Sequence, residues 1–402
     1  MPFSFFFPFV SSQEFSLPRG ARYFLYPNLE FQMVANFLSP QEFSYFDERI
    51  ERFEEERLGE FVFLYTPFFV PFERIREIAH QLEGKGKRVI LFGPLISKKP
   101  EMAGEFSHIR GSLLNIFPEV KEDCLAGRLG ERYDADFNPI YLPPRWDLRI
   151  PGMEANFHFI NFILGCRCPE EMRPFCSQAI YYRDRVKKRG KEEILGEVVT
   201  LPYKRIFLLD DDISSDRNYY YDIFSSLWQF RKEWVVNASK ACLKEIDFLR
   251  FLGKVGVRIL YLREDFLTSE EIYSLNQELV KEKRWGVKRI QSERILVGIR
   301  IALFLKPDVD YEPIFRHLVE IDPDFIEILF FQDSEIFYPV YHPLLTPKEP
   351  LWLKASFYSV RAIVSRLLKR PRRVGLYTTL FYSLPLNLSY RQNFLEGIPY
   401  PP

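Results

Sequence analysis

The 402-residue sequence predicts an α/β protein built from two successive parallel sheets and a small helical extension. Three observations predict it. Short apolar, β-prone runs alternate with amphipathic segments along most of the chain, the pattern of strands joined by crossover helices. A turn-rich and proline-rich stretch, YLPPRWDLRIPGMEA from Tyr141 to Ala155, divides that alternation into two series. With 47% hydrophobic and 27% charged residues, the chain has apolar material for real cores and is too long for one ordinary domain.

The first series gives a Rossmann-like domain over residues 1–150. Phe3–Val10 reads as a buried strand, Leu29–Leu38 as a helix and Phe43–Asp47 as a short strand. Glu60–Tyr65 is the next strand, Phe72–Leu82 an amphipathic helix, and Lys87–Phe92 a strand stopped by Gly93-Pro94. Ligands of such sheets sit at the carboxyl ends of the strands. No GxGxxG follows a strand, which argues against a dinucleotide.

The second series spans residues 151–345. Its strands are Arg205–Leu209, Glu233–Ala238, Val257–Leu262, Leu296–Phe304 and Asp324–Phe331. Helices are expected at Tyr219–Phe230, Leu243–Leu252, Ser269–Glu282 and Tyr311–Val319. Strands at this spacing, each followed by a helix, suggest a partial (β/α) barrel with its working face at the strand C-termini. Residues 346–402 form the extension: an amphipathic helix at Phe357–Leu368, a basic patch (Lys369, Arg370, Arg372, Arg373) and a Pro-rich end.

Charge and composition exclude several classes. Lys plus Arg and Asp plus Glu both number 55, so no global field favours nucleic acid. No apolar run reaches the roughly 18 residues of a membrane span. The start, MPFSFFFPFV, lacks a basic flank and reads as a strand, not a leader. Forty Phe and 22 Tyr predict heavy aromatic packing. Five cysteines make no disulfide framework, and a reducing cytoplasm is the expected setting.

Three of those five cysteines, Cys166, Cys168 and Cys176, fall within eleven residues, in GCRCPEEMRPFC. Such a cluster points to metal or redox chemistry. A basic run follows (Arg183, Arg185, Lys187, Lys188, Arg189), and the strand Arg205–Leu209 ends in Asp210-Asp211-Asp212. Three adjacent carboxylates at a strand end repel one another and need partners or a ligand. The five histidines have no zinc-like spacing, and no nucleophile elbow or phosphate loop is present.

Several segments form a recognisable set: YPNLEFQMVANFL with FDERIERF, KRVILFGPLISKKPE, Gly104-Glu105, YLPPRWDL, GCRCPEEMRPFC, LLDDDISSD, WVVNASKACLKEIDFLRFLGKVGVRILYLRED, and SFYSVRAIVSRLL with LNLSYR. This set resembles the cobalamin-binding-domain radical S-adenosylmethionine (SAM) proteins over almost the whole chain. The subgroup it is most similar to carries a C-terminal domain of unknown function and includes hopanoid-type lipid methylases. The resemblance implies a cobalamin-binding-type Rossmann domain, a partial radical SAM barrel, and a [4Fe–4S] cluster held by Cys166, Cys168 and Cys176. It implies SAM as cosubstrate, with Phe175 against its adenine and Asp211, Asp212 and Glu264 facing SAM or the substrate. Asp308, at a comparable strand end, is a further candidate of the same kind. Cobalamin is a further cofactor that the family's first domain can hold. A ferredoxin- or flavodoxin-type reductant and a small, apolar or lipid substrate follow by the same analogy.

The sequence departs from the family in named places. The family spaces its cysteines CxxxCxxC, each thiolate binding one iron and leaving the fourth for SAM. Here the spacing is C-x-C-x7-C, and Met172 stands at the middle position counted from Cys168. A thioether is a poor substitute for a thiolate, so Cys166 would have to be the third ligand. The glycine-rich strand under SAM corresponds to GIRIALFLKPD, which keeps Gly298, and the "GIE" strand end is LRED, which keeps Glu264. These departures equally suit a second expectation: a catalytically degenerate paralogue that serves as a partner or regulatory subunit.

Overall fold

The structure, a computed structural model, describes residues 1–8, 28–50, 57–68, 70–145, 147–148, 157–166, 173, 176–183, 185–304, 309–331 and 357–396. They form two compact units.

The first unit begins with β1 (Phe3–Phe7), α1 (Leu29–Val34), β2 (Phe43–Asp47), β3 (Phe61–Tyr65) and α2 (Phe72–Gly84). It continues with β4 (Arg88–Phe92), α3 (Pro94–Lys98), β5 (Ser107–Arg110), α4 (Leu113–Leu125) and β6 (Arg132–Asp134). The six strands are all parallel, in the order β2-β1-β3-β4-β5-β6. Alternation decides which face each residue takes. Phe3, Phe5 and Phe7 join Phe61, Phe63 and Phe92 in one core with α1 and α4. The rings interlock: Phe5 stacks on Phe63 at 5.2 Å, and Phe31 of α1 lies 4.8 Å from Phe5 and 4.5 Å from Tyr45. On the opposite parity, Ser4 meets Ser44 at 2.6 Å and accepts from Gly59 N, which satisfies a hydroxyl with no exposure at all. The amphipathic α2 lies against β4, burying Ile75, Ile78, Ala79 and Leu82, and ends at Lys85-Gly86, where φ is +76°.

The chain next gives β7 (His158–Ile160) to the second unit and returns to the first for β8 (Ile163–Leu164), α5 (Ser177–Tyr182) and β9 (Lys187–Lys188). The rest of the second unit follows in order: α6 (Lys191–Thr200), β10 (Arg205–Leu208), α7 (Arg217–Leu227), β11 (Glu233–Ala238), α8 (Ile246–Lys254) and β12 (Val257–Leu262). Then come α9 (Ser269–Tyr273), α10 (Gln277–Ser292), β13 (Leu296–Phe304), α11 (Glu312–Ile321) and β14 (Phe325–Phe331). Its six strands are parallel and lie side by side in chain order, β7-β10-β11-β12-β13-β14. Right-handed crossovers between consecutive neighbours put every connecting helix on one face of such a sheet.

The C-terminal segment is helical: α12 (Val360–Lys369), α13 (Pro371–Val374), and α14 (Leu376–Thr378), which passes through a π turn into α15 (Leu384–Glu396). It packs on the second sheet. Tyr390 packs on Phe325, ring centroids 5.6 Å apart, and pairs its hydroxyl with that of Tyr261 at 2.8 Å. The Tyr358 hydroxyl bonds Ile326 N and O at 2.9 and 3.0 Å, occupying the open edge of β14.

Two expectations are revised. The single helix expected over Ser269–Glu282 is two. Thr268 and Glu271 cap α9 with a reciprocal box, and Asn276 starts α10 by accepting from Glu278 N and Leu279 N. The helix expected over Leu29–Leu38 stops at Val34 and tightens into a 3-10 turn. The basic patch near 370 includes a buried member. Arg370 is 1% exposed, with its Nε 2.5 Å from Asp324 Oδ1 and Nη2 3.1 Å from Asp322. Burial opposes its charge, but Asp324 and Asp322 outweigh that and raise its pKa.

Candidate functional site

The cysteine loop leaves β8 and returns through β9. These two strands pair antiparallel, Ile163 with Lys188 and Leu164 with Lys187, so the loop is closed at its base. Gly165 stands at the exit with φ +91°. A Cβ there would lie 2.1 Å from Arg185 O, so only glycine fits the closure. Gly165 N donates to Gln178 Oε1 at 3.3 Å, tying the loop's start to α5. Cys166 is buried, and Cys176 is half-buried immediately before α5, its N–H donating to Arg173 O at 3.2 Å. Cys168, Met172 and Phe175 lie outside the described residues, as does Asp308. Neither Cys166 nor Cys176 is in a disulfide.

The basic run after the loop divides by role. Arg183 lies over the Phe137 ring at 3.7 Å with φ 54°, and Arg185 bonds Asn138. Arg189, in the second unit, is buried between Glu193 at 2.8 Å and Glu197 at 2.6 Å.

The acidic triplet after β10 sorts in the same way. Asp210 is buried and accepts from Phe162 N at 2.8 Å and from the Tyr220 hydroxyl at 2.7 Å. Asp212 accepts from Ser214 N at 2.8 Å, Ser239 N at 2.9 Å and the Ser214 hydroxyl, which locks the turns after β10 and β11. Asp211 is half-buried between them. Glu264, just past β12, lies 3.8 Å from Arg263 and 4.0 Å from Arg300.

Arg300 is a residue that sequence reasoning passed over. Its Nε also meets Glu327 at 3.0 Å, and Glu327 accepts from Tyr390 at 2.5 Å. Burial opposes the guanidinium charge, while Glu327 and Glu264 more than offset it and raise its pKa. A basic residue two places after a strand glycine gave the only sequence signal. Gly298 itself is explained here: a Cβ on it would lie 2.2 Å from Tyr261 Cδ1, so the Tyr261 ring fills that space.

The carboxyl edge of the first sheet is also occupied. Phe7, Tyr65 and Phe92 end β1, β3 and β4, with ring centroids 4.9 Å apart for Phe7–Tyr65 and 5.3 Å for Tyr65–Phe92. Thr66 N donates to Phe92 O at 2.7 Å, and a Cβ on Gly93 would lie 2.8 Å from that nitrogen. The helix α5 packs on α3, burying Tyr181 and Tyr182. Glu30 at the start of α1 accepts from Ser112 Oγ at 2.7 Å, with Tyr181 beside it. Burial pushes the Glu30 carboxyl above its usual range.

Two cavities lie elsewhere, of about 270 Å³ lined by α9 and α11 residues and about 560 Å³ lined by α7 and α8 residues. His80, Glu83 and Glu105 approach within 4.8 Å of one another, but all three are exposed surface side chains.

No protein-family model matches the sequence, and no curated protein does. The fold is similar to a solved structure of the cobalamin-dependent S-adenosylmethionine radical enzyme OxsB with aqua-cobalamin bound. The TM-score is 0.52 at 11% identity, covering 83% of this chain and 53% of that one. The chain therefore spans about half the length of OxsB. What the likeness shows is the fold alone: mixed α/β with parallel sheets.

Proposed function

We propose that this chain is a radical SAM-type protein whose chemistry centres on a [4Fe–4S] cluster held by Cys166, Cys168 and Cys176. The carrying observation is the position of the cysteine loop. It follows the first strand of a six-stranded sheet in consecutive order and is closed at its base by β8, β9 and Gly165. The donor set fits: three thiolates bind three irons and leave one for SAM. With one electron from a ferredoxin- or flavodoxin-type reductant, such a site supplies a 5′-deoxyadenosyl radical and methionine from SAM, and the radical takes a hydrogen atom from an unactivated carbon.

The chain's own residues position the reactants. Asp210 and Asp212 hold the turn after β10, and we assign Asp211 to the amino group of SAM. Glu264, which lies between Arg263 and Arg300, is assigned to the ribose or substrate hydroxyls. Phe175 takes the adenine by analogy with the family. An apolar or lipid substrate follows from the family analogy alone. We assign no step to cobalamin, because the residues at the first sheet's edge do not fit it.

A second reading is a non-catalytic paralogue that keeps the scaffold and binds a protein partner. The Tyr261 ring over Gly298 favours it, since the retained glycine accommodates a side chain in place of a cofactor. Anaerobic reconstitution with iron and sulfide, followed by metal analysis and electron paramagnetic resonance with and without SAM, separates the two. The enzyme reading expects about four irons per chain and a signal that shifts on adding SAM. A folded chain without iron removes it and leaves the partner reading.

A further inference from the structure

A parallel sheet whose strand order reverses, as β2-β1-β3 does, offers its ligand a crevice at the carboxyl ends beside the reversal. In the first unit that crevice lies at the ends of β1 and β3. A corrinoid there needs an open edge for the ring and a slot between the flanking helices for its nucleotide tail. Neither is present among the described residues.

The slot between α1 and α4 is filled by rings. Phe31 contacts Phe5 at 4.8 Å and Tyr45 at 4.5 Å, while Phe117 of α4 lies 5.5 Å from Phe63. Phe5, Phe31, Phe63 and Phe117 have no exposure at all. Protein interiors this closely packed admit a large ligand only by displacing side chains.

The edge itself is covered by residues 177–183 and 185. From α5 onward this segment meets α3, Tyr65 and Glu30, then places Arg183 over Phe137 and Arg185 on Asn138. It thereby crosses the carboxyl ends of β3, β4 and β6 and the N-termini of α1 and α4. Gly93 offers no cradle either, because its missing Cβ marks a close approach to Thr66 backbone.

We infer that the first unit takes no corrinoid and that its ligand edge is instead a socket for α5, which fixes the Cys176 end of the cysteine loop. Tyr181 and Tyr182 are the plug, and Glu30 and Ser112 are positioning residues that line the socket. This inference holds whether or not the cysteines carry a cluster, so its failure is distinguishable from failure of the radical SAM reading.

Two measurements on the full chain test it. After anaerobic incubation with hydroxocobalamin and gel filtration, no corrin absorption should co-elute above that of a non-binding control protein. One corrinoid per chain overturns the inference. In hydrogen exchange, the amides of α5 should be protected, although an isolated helix this short would not be. Glu30→Ala, which removes the buried side chain beside Tyr181, should speed their exchange about tenfold, while β3 and β4 exchange unchanged. Tyr182→Phe, which keeps the ring, should retain most of the protection. If α5 exchanges at the free-peptide rate in the unmutated protein, there is no socket.

Discussion

The two sheets are both six-stranded and wholly parallel, and they differ in order. The first reverses at β1, so its crossovers cover both faces and its only natural opening is the edge beside the reversal. The second runs in chain order, so its crossovers cover one face and leave the inner face to be covered by something else. In the first, aromatic rings and α5 close the opening. In the second, the C-terminal segment brings Tyr358, Tyr382 and Tyr390 to the sheet, where two buried carboxylates find partners. Glu233 is met by the Tyr382 hydroxyl and Lys204, and Glu327 by Arg300 and Tyr390. A reversing sheet can be sealed with hydrocarbon. A consecutive one needed a separate layer, and that layer carries the buried charge.

The sharpest way to break this contrast is at Arg370. It ties the C-terminal layer to Asp324 and Asp322 below the second sheet, and removing it leaves a fully buried Asp324 without its counter-charge. Arg370→Ala should cost about 3–5 kcal/mol in urea unfolding, against near neutrality for an exposed charge such as Arg372→Ala. A loss below 1 kcal/mol (~) would mean the layer is not held there.

The edge strand β7 gives the next effect. Burial, with a smaller contribution from the Lys232 charge, lowers the His158 pKa from 6.5 to about 4. Between those values the unfolded chain takes the proton and the folded chain does not. Stability is full above pH 6.5 and falls as the pH drops toward about 4. The loss should be at most ~3 kcal/mol. Melting temperatures across that range should fall, and His158→Phe should flatten the dependence. An unchanged slope in the variant would assign it to other groups.

Glycines compare the sheets directly. Gly298→Ala drives a Cβ into the Tyr261 ring, and Gly93→Ala drives one into Thr66 backbone at φ +123°. The first should cost about 1–3 kcal/mol and be relieved by Tyr261→Ala in the same chain. The second has no side chain to remove and should not be rescued. The smallest effect is Tyr358→Phe, which exposes the Ile326 N–H and carbonyl at the edge of β14. It should cost about 1 kcal/mol, seen as faster exchange of the Ile326 amide.

Much of this was legible in sequence because burial in a parallel sheet writes an apolar run. Phe43–Asp47, Glu233–Ala238, Val257–Leu262 and Leu296–Phe304 have the bounds expected from their residues. The weak elements were not legible. Ser107–Arg110 has one buried residue in four, and Leu113–Leu125 carries Pro118 at its centre, which reads as a stop. Among candidate residues, the sequence picked out Cys166, Cys168 and Cys176 because they cluster, and the aspartate triplet and Glu264 because they are carboxylates at strand ends. It set Asp211 and Asp212 apart from Asp210 but could not see that Asp212 holds the turns after β10 and β11. Nor could it see Arg300, whose partners Glu264, Glu327 and Tyr390 come from three other elements.

By itself, then, the sequence determined the alternation of strands and helices, the division into two series and the closeness of three cysteines, all of them consequences of neighbours along the chain. Tertiary structure alone decided what fills each sheet's opening. Whether a glycine admits a cofactor or a tyrosine ring depends on which side chain occupies that volume. Tyr261 lies 37 positions from Gly298 and Tyr181 about 150 from Glu30, and their meetings follow from strand order and helix packing, which no local pattern encodes.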